Sequence, residues 1–359
     1  MSKRLVVCCD GTWDTPDQVT DEGLPCASNV TKVALEVAEH GDDGKEQLIF
    51  YHRGVGTSRW QHVAGGAFGY GLSQNVKAAY RFIVENFAPG DELFLFGFSR
   101  GAFTARSTAG LVRNAGILKS PFPDRVDQAY ALYRKRQAAP RGIESQLFRR
   151  SYSHETRISF IGVWDTVGAL GIPLSGLPLI DAFNRRYEFH DTNLSTTVDA
   201  AFQALAIDEK RGPFRPAIWQ QQPNAGDQKL EQVWFAGVHC NVGGGYPNTA
   251  LSDLALLWMV DKARSCGLTF RPDAFSLATA GTATDDTRAI RPDGLGLIRE
   301  SRRGMYELIP PYDRPIGVTD PAHEYASESA VTRFKNHDGY APANLGKFLD
   351  DGGRIAGAG

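Results

Sequence analysis

DELFLFGFSRGAFTAR, residues 91–106, runs an apolar segment of strand length through a tight turn into a segment of small residues. Leu93–Phe96 reads as a buried strand, and 102–115 as the helix that follows. Between them GFSRG fits the pattern G-x-S-x-G, with Gly97, Ser99 and Gly101 at its fixed positions. A side chain held on such a turn stands clear of the backbone, and the two glycines let strand and helix approach each other around it. The helix then aims its N-terminal amides at the turn, where they favour an anion. Ser99 is therefore the candidate nucleophile and the Arg100 amide a candidate oxyanion donor.

The same texture continues in both directions. Leu5–Cys9, Leu48–Tyr51, Ile158–Val163 and Val233–Val238 are further apolar runs of strand length. In QNVKAAYRFIVENF, Val76, Ala79, Tyr80, Ile83, Val84 and Phe87 fall at helical spacing, and Pro89-Gly90 ends the helix. Helices are also expected at 125–138, 197–207 and 252–265, the last capped by Ser252 and followed by Gly267. Alternating strands and helices predict an α/β fold with a mostly parallel central sheet, flanked by helices and carrying long loop insertions. The strand runs are spread from residue 5 to residue 238, so 1–359 is expected to form a single domain. From about 268 onward Pro, Asp, Arg and Gly predict an irregular wrap, and the closing DDGGRIAGAG a frayed end.

A serine hydroxyl needs a base. Of the eight histidines, only His239 directly follows a late apolar run and enters a glycine-rich loop, VWFAGVHCNVGGGY. Asp165 follows the buried run of ISFIGVWDTVG at the same edge of the sheet. The order Ser99, Asp165, His239 is that of the α/β-hydrolases. Asp208, in ALAIDEKRGPFRP, is the rival acid. It follows an expected helix and is assigned a structural ion pair with Arg211 or Arg215. Counting strands back from the turn gives DGTW, 10–13, as the source of the second oxyanion donor, from the Gly11 or Thr12 amide. A haloacid-dehalogenase-like phosphatase is set aside, because its nucleophilic aspartate would fall at Cys8.

The chain has 359 residues, 42% hydrophobic and 22% charged, enough for a large core. A formal net charge of −2 gives no bulk attraction to nucleic acid or to anionic membrane. The five cysteines are an odd number with no CxxC pair, and they read as free buried thiols in a reducing compartment. No signal-peptide core and no spanning run of roughly eighteen apolar residues is present. A cytoplasmic location is expected, with signal-independent secretion left open, and neither a metal nor a cofactor is called for.

Several long motifs occur together: VVCCDGTWD (6–14), YHRGVGT (51–57), GFSRGAFTAR (97–106), FIGVWDTVGALG (160–171), FQALAIDEKRGPFRP (202–216) and GVHCNVGGGY (237–246). In this order they resemble the α/β-hydrolase domain of the type VI secretion phospholipase effectors, with SESAVTRF (327–334) as a further extension. The resemblance implies a triad on Ser99, Asp165 and His239, ester hydrolysis, and phospholipid as the substrate of the characterised effectors. Two departures stand out. Asn241 occupies a position where the family usually has Asp, and the chain is close to a bare catalytic domain.

Together these readings predict a serine hydrolase of carboxylic esters, lipid esters included, working through an acyl-enzyme. An amidase or acyltransferase on the same triad, and a catalytically silent binding module, are the alternatives. Activity is expected to fall on the acid side near the imidazole reference value of about 6.5 or somewhat above. The uncharged segment TVGALGIPLSGLPLI, 166–180, is expected to wall the acyl site through Leu174 and Leu177. Trp13, Trp60 and Trp164 are candidate pocket linings, and RWQHVAGGAFGYGL, 59–72, a second mobile wall. Lipid would be met through apolar loops, without a membrane anchor.

Overall fold

The computed structural model describes residues 2–11, 26–54, 65–135, 139–167, 193–277, 289–337 and 339–357. Its strands are β1 (Arg4–Cys9), β2 (Gln47–His52), β3 (Glu92–Phe98), β4 (Ile117–Leu118), β5 (Ser153–His154), β6 (Phe160–Trp164), β7 (Ala200–Ala206), β8 (Lys229–Phe235), β9 (Glu324–Ser327) and β10 (Ile355–Ala356). Its helices are α1 (Asn29–Glu36), α2 (Gly65–Asn86), α3 (Arg100–Ala115), α4 (Val126–Arg134), α5 (Ile143–Tyr152), α6 (His239–Gly243), α7 (Ala250–Ser265), α8 (Glu328–Asn336) and α9 (Ala343–Asp350). Eight strands form one sheet in the order β10-β9-β8-β7-β6-β3-β1-β2. Every pairing in it is parallel, while β4 and β5 form a small antiparallel pair apart.

The strands are apolar on both faces because helices cover both, as a parallel sheet requires. Leu5, Val7, Cys9, Leu93 and Leu95 pack toward α2 and α3, where they meet Val76, Ala79, Tyr80, Ile83, Ala102 and Ala105. The alternate residues Val6, Cys8, Phe94, Phe96 and Phe98 face α1 and α7 instead. The α/β architecture with its parallel sheet is thus the expected one, and α2 buries the face its spacing predicted.

Three expectations are corrected. The alanine-rich 197–207 is a central strand, β7, buried along its whole length between β6 and β8. Burial on both faces removes the period-two signal, and two ladders of hydrogen bonds override the helix preference of alanine. The region after 268 is irregular only in part: among its described residues the one element before 324 is a short 3-10 helix, Gly304–Leu308. From 324 it supplies α8, α9 and the last two strands at one edge of the sheet, and Ile355–Ala356 pairs with β9 rather than fraying. Its signal is weak because β9 carries a buried carboxylate, Glu324. That group is satisfied by the Trp234 indole (3.0 Å) and by the Gly317, Thr319 and Asp320 amides. Finally, of the second wall expected at 59–72, residues 65–72 open α2 and 59–64 lie outside the described residues.

Helix α7 starts after Thr249 rather than Ser252, and the Thr249 hydroxyl donates to Asp253 at 2.6 Å. None of the five cysteines is in a disulfide. Cys8, Cys9 and Cys26 are buried, and burial pushes the Cys9 thiol up to about 12, whereas Cys240 and Cys266 are half-exposed. Among the described residues no helix is long and apolar enough to cross a membrane, and no histidine, cysteine or carboxylate cluster could hold a metal ion.

Candidate active site

Because all the strands of the sheet run the same way, their C-terminal ends share one edge, where ligand sites of open α/β sheets lie. Asp10, Ser99, Asp165, Asp208 and Glu209, and His239 follow β1, β3, β6, β7 and β8 at that edge.

Ser99 sits at φ 56°, ψ −119°, between β3 and α3. A left-handed φ at a non-glycine residue costs about 1–3 kcal/mol and persists only where the surroundings enforce it. Here the Ser99 amide donates to the Trp164 carbonyl at 3.0 Å, tying the turn to β6. A Cβ on Gly97 would lie 2.5 Å from the Gly101 carbonyl, and one on Gly101 would lie 2.0 Å from the Cys9 carbonyl. Both glycines are thus required by close approach, the second because α3 begins against the end of β1.

His239 opens α6. Its Nδ1 lies 2.5 Å from Asp165 Oδ2. Its ring packs on Phe98, the residue before Ser99, with centroids 4.7 Å apart, and meets the edge of Phe214 at 5.0 Å. Engagement of Nδ1 by the carboxylate leaves Nε2 as the other functional nitrogen. Gly243 packs the same loop over Phe98, where a Cβ would come within 2.0 Å of the ring. Asp165 is fully buried, at φ 40°. Its Oδ1 accepts the Ala206 amide at 3.0 Å, and Arg314 donates to Oδ1 at 2.6 Å and to Oδ2 at 3.0 Å. Burial alone would raise its pKa, but the Arg314 charge and the His239 bond outweigh that and hold the carboxyl well below its usual range.

Burial also acts on His239. It lowers the imidazole pKa more than the Asp165 bond and charge raise it, with Arg211 adding to the lowering. The imidazole is thus lowered from its ordinary value, against the expectation of a value at or above it.

Asp208 does not pair with Arg211 or Arg215. It accepts the Gly237 amide at 2.6 Å and the Tyr340 hydroxyl at 3.0 Å. Arg211 instead grips the neighbouring Glu209 through Nε (2.9 Å) and a terminal nitrogen (2.8 Å), and Arg215 stacks on Tyr312. Glu209 also takes the His239 amide at 3.3 Å and the Ser301 hydroxyl at 3.0 Å. Glu209 shared its motif with Asp208 and was open to discovery from sequence, whereas Arg314 lies in no motif.

The oxyanion candidates divide. Arg100 is the first residue of α3, which starts two residues earlier than expected. Gly11 lies at the same edge, but its amide donates to Asp10 Oδ1 at 2.7 Å, so an oxyanion would share or displace that bond. Thr12, Trp13, Trp60, Leu174 and Leu177 lie outside the described residues. Trp164 is not a pocket wall. Its side chain is fully buried on the α7 face, and its indole donates to the Ala255 carbonyl at 3.3 Å.

Asn241 is buried in α6. Its Oδ1 accepts the Val238 amide and its Nδ2 donates to the Leu297 carbonyl, both at 3.2 Å. An ionised aspartate supplies only the first, which gives the asparagine a local reason.

Comparison with known proteins adds a relative in Saccharomyces cerevisiae, the uncharacterized protein YEL023C, 28% identical over 245 residues. The match covers 62% of this chain, which spans a third of that relative's length (33%). Among solved structures, an uncharacterized protein from Pseudomonas aeruginosa matches with TM-score 0.46 and 16% identity, over 76% of this chain and 47% of that one. The Tle1 effector bound to the VgrG spike of the type 6 secretion system matches with TM-score 0.39 and 18% identity, over 68% of this chain and 51% of that one. The model of the type VI secretion, Tle1-like phospholipase effector catalytic domain matches residues 3–262, and the chain belongs to that family.

Proposed function

We propose that the chain is a serine hydrolase that cleaves carboxylic esters, lipid esters among them, through an acyl-enzyme. The observation that carries this reading is the 2.5 Å contact between His239 and Asp165, made beside a serine held at φ 56° on a strand-to-helix turn. Family membership supports lipid-type esters as the substrate class.

In this mechanism His239 Nε2 takes the Ser99 proton as Oγ attacks the ester carbonyl carbon. The carbonyl π electrons move onto oxygen, which the Arg100 amide and a second donor from the loop after β1 stabilise. Collapse expels the alcohol, which leaves with the proton from His239. Water then repeats the sequence on the acyl-enzyme, releasing the acid and restoring Ser99. Asp165 holds the imidazole tautomer and stabilises the imidazolium.

The test is covalent labelling by a fluorophosphonate, followed by an ester series from acetates to phospholipids. Wild type should label and turn over esters, with a rate that holds to below pH ~6.5, since burial lowers the His239 pKa from its ordinary value. Ser99→Ala should fold, fail to label and lose turnover. Labelling that persists in the folded variant removes Ser99 from this role.

A further inference from the structure

We propose that Arg314, supplied from beyond the family-matched residues, is a positioning residue of this site: it fixes the Asp165 carboxylate, offsets its charge, and so sets how readily His239 protonates. The inference rests on the serine-hydrolase reading only for what His239 does with its proton.

The geometry is that of a closed clamp. Both side chains are fully buried, and the guanidinium meets both carboxylate oxygens, at 2.6 Å and 3.0 Å. The same two nitrogens also donate to the Ala206 carbonyl (2.9 Å) and the Phe214 carbonyl (2.6 Å), which ties the fork to the end of β7 and to the residue edge-on to His239. The Arg314 backbone is anchored too, because Asn344 of α9 donates to its carbonyl and to that of Ile207, both at 3.2 Å. A bidentate fork fixes the plane of a carboxylate as a point charge does not.

Oδ2 of Asp165 accepts from Arg314 and from His239 together. The charge on that oxygen is what favours an imidazolium, and Arg314 draws on it. The other charged groups acting on His239 are Glu209 and Arg211, after β7. Glu209 and Arg211 form their own two-point pair, so their charges largely offset, and the carboxylate in direct contact with the imidazole is Asp165. Burial is the first cause of the lowered His239 pKa, with Asp165 opposing it, so the strength of that opposition is what Arg314 would adjust.

Two variants separate charge from fork. Arg314→Gln removes the charge, and Arg314→Lys keeps it without the fork. The His239 ring is titrated by NMR in a Ser99→Ala background, its signal assigned by loss in His239→Gln, and the acid limb of kcat/KM for p-nitrophenyl butyrate is measured with Ser99 present. Arg314→Gln should raise the His239 midpoint by about one pH unit, the acid limb moving with it. Arg314→Lys should leave the midpoint near wild type while kcat falls. A folded Arg314→Gln protein with an unmoved midpoint overturns the proposal. If that variant does not fold, Arg314→Lys decides: an upward shift in its midpoint overturns the proposal, and an unmoved midpoint with reduced kcat supports it. Wild type that neither labels nor turns over ester defeats the hydrolase reading instead, and the titration is still read.

Discussion

Asp10 and Asp165 stand on opposite sides of the Ser99 turn, because β1 and β6 flank β3. Both follow a buried strand and both are buried, yet their surroundings are opposite in kind. Asp10 is met by neutral donors: the hydroxyls of Ser28 (2.6 Å), Tyr51 (2.7 Å) and Thr31 (2.8 Å) reach Oδ2, and the Gly11 amide reaches Oδ1. Burial raises its pKa more than these bonds lower it. Asp165 is met by a guanidinium and an imidazole, and its pKa falls. One carboxylate knits the loop after β1 onto α1 and β2, while the other presents a fixed charge to an imidazole. The residue type and its place at a strand end are shared, and the partners make the difference.

The largest expected effect breaks or upholds this contrast through activity. Asp165→Asn should lower kcat on the order of 10⁴-fold, as loss of the orienting acid does in other triads. Asp10→Asn and Asp208→Asn touch no imidazole and should stay within about tenfold of wild type, well short of the cost of losing a triad member. Steady-state kinetics on folded variants gives the ranking. If either of the latter two is worse than Asp165→Asn, the assignment of roles has to be exchanged.

That contrast was only half legible in sequence. Ser99, Asp165 and His239 each end an apolar run, so hydrophobic periodicity finds the strands and the next residues follow. The sheet edge then gathers them without further information. Nothing comparable marks Arg314, whose neighbours in sequence form no regular element and whose partner lies 149 positions away. Likewise β7 was misread because seven buried residues rich in alanine carry no alternation. The loop after β1 was read as a donor for the oxyanion, but the convergence of Ser28, Thr31 and Tyr51 on Asp10 depends on three separate elements and has no local pattern.

The next effect is on stability, and its pH dependence has opposite signs for the two acids. Asp165 has a folded pKa below its unfolded value of about 3.9. Its stabilisation is present above that value and is lost as pH falls toward the lower folded one. Asp10 has a raised folded pKa, so its contribution is present below about 3.9 and is lost as pH rises through the raised value. Urea midpoints from pH 3 to pH 7 should therefore show Asp10→Asn gaining on wild type as pH rises. Asp165→Asn should lose ground over the same range, by about 3–5 kcal/mol at neutral pH, since Arg314 is left buried without its partner. Parallel curves for the two variants would mean that the two environments do not differ in charge as described.

The smallest effect concerns a third position at this edge, after β8, where the sequence resemblance implies a carboxylate and this chain has Asn241. The amide both accepts from Val238 and donates to Leu297, which a carboxylate cannot do. Asn241→Asp keeps the acceptor but sets a buried carboxylate against a carbonyl oxygen. The cost should be about 1–3 kcal/mol at pH 7, the usual penalty for a buried group left unpaired. Burial raises the pKa of the new acid, so the deficit should shrink as pH falls and the protonated carboxyl regains a donor. Turnover should change by less than about tenfold, because the Asn241 bonds run to Val238 and Leu297 and not to the His239 ring. Thermal melts at pH 5 and pH 7, with ester turnover at both, read this directly. A large gain in turnover without a loss of stability would show that the position belongs with Asp165, as part of the chemistry, and not with Asp10, as part of the frame.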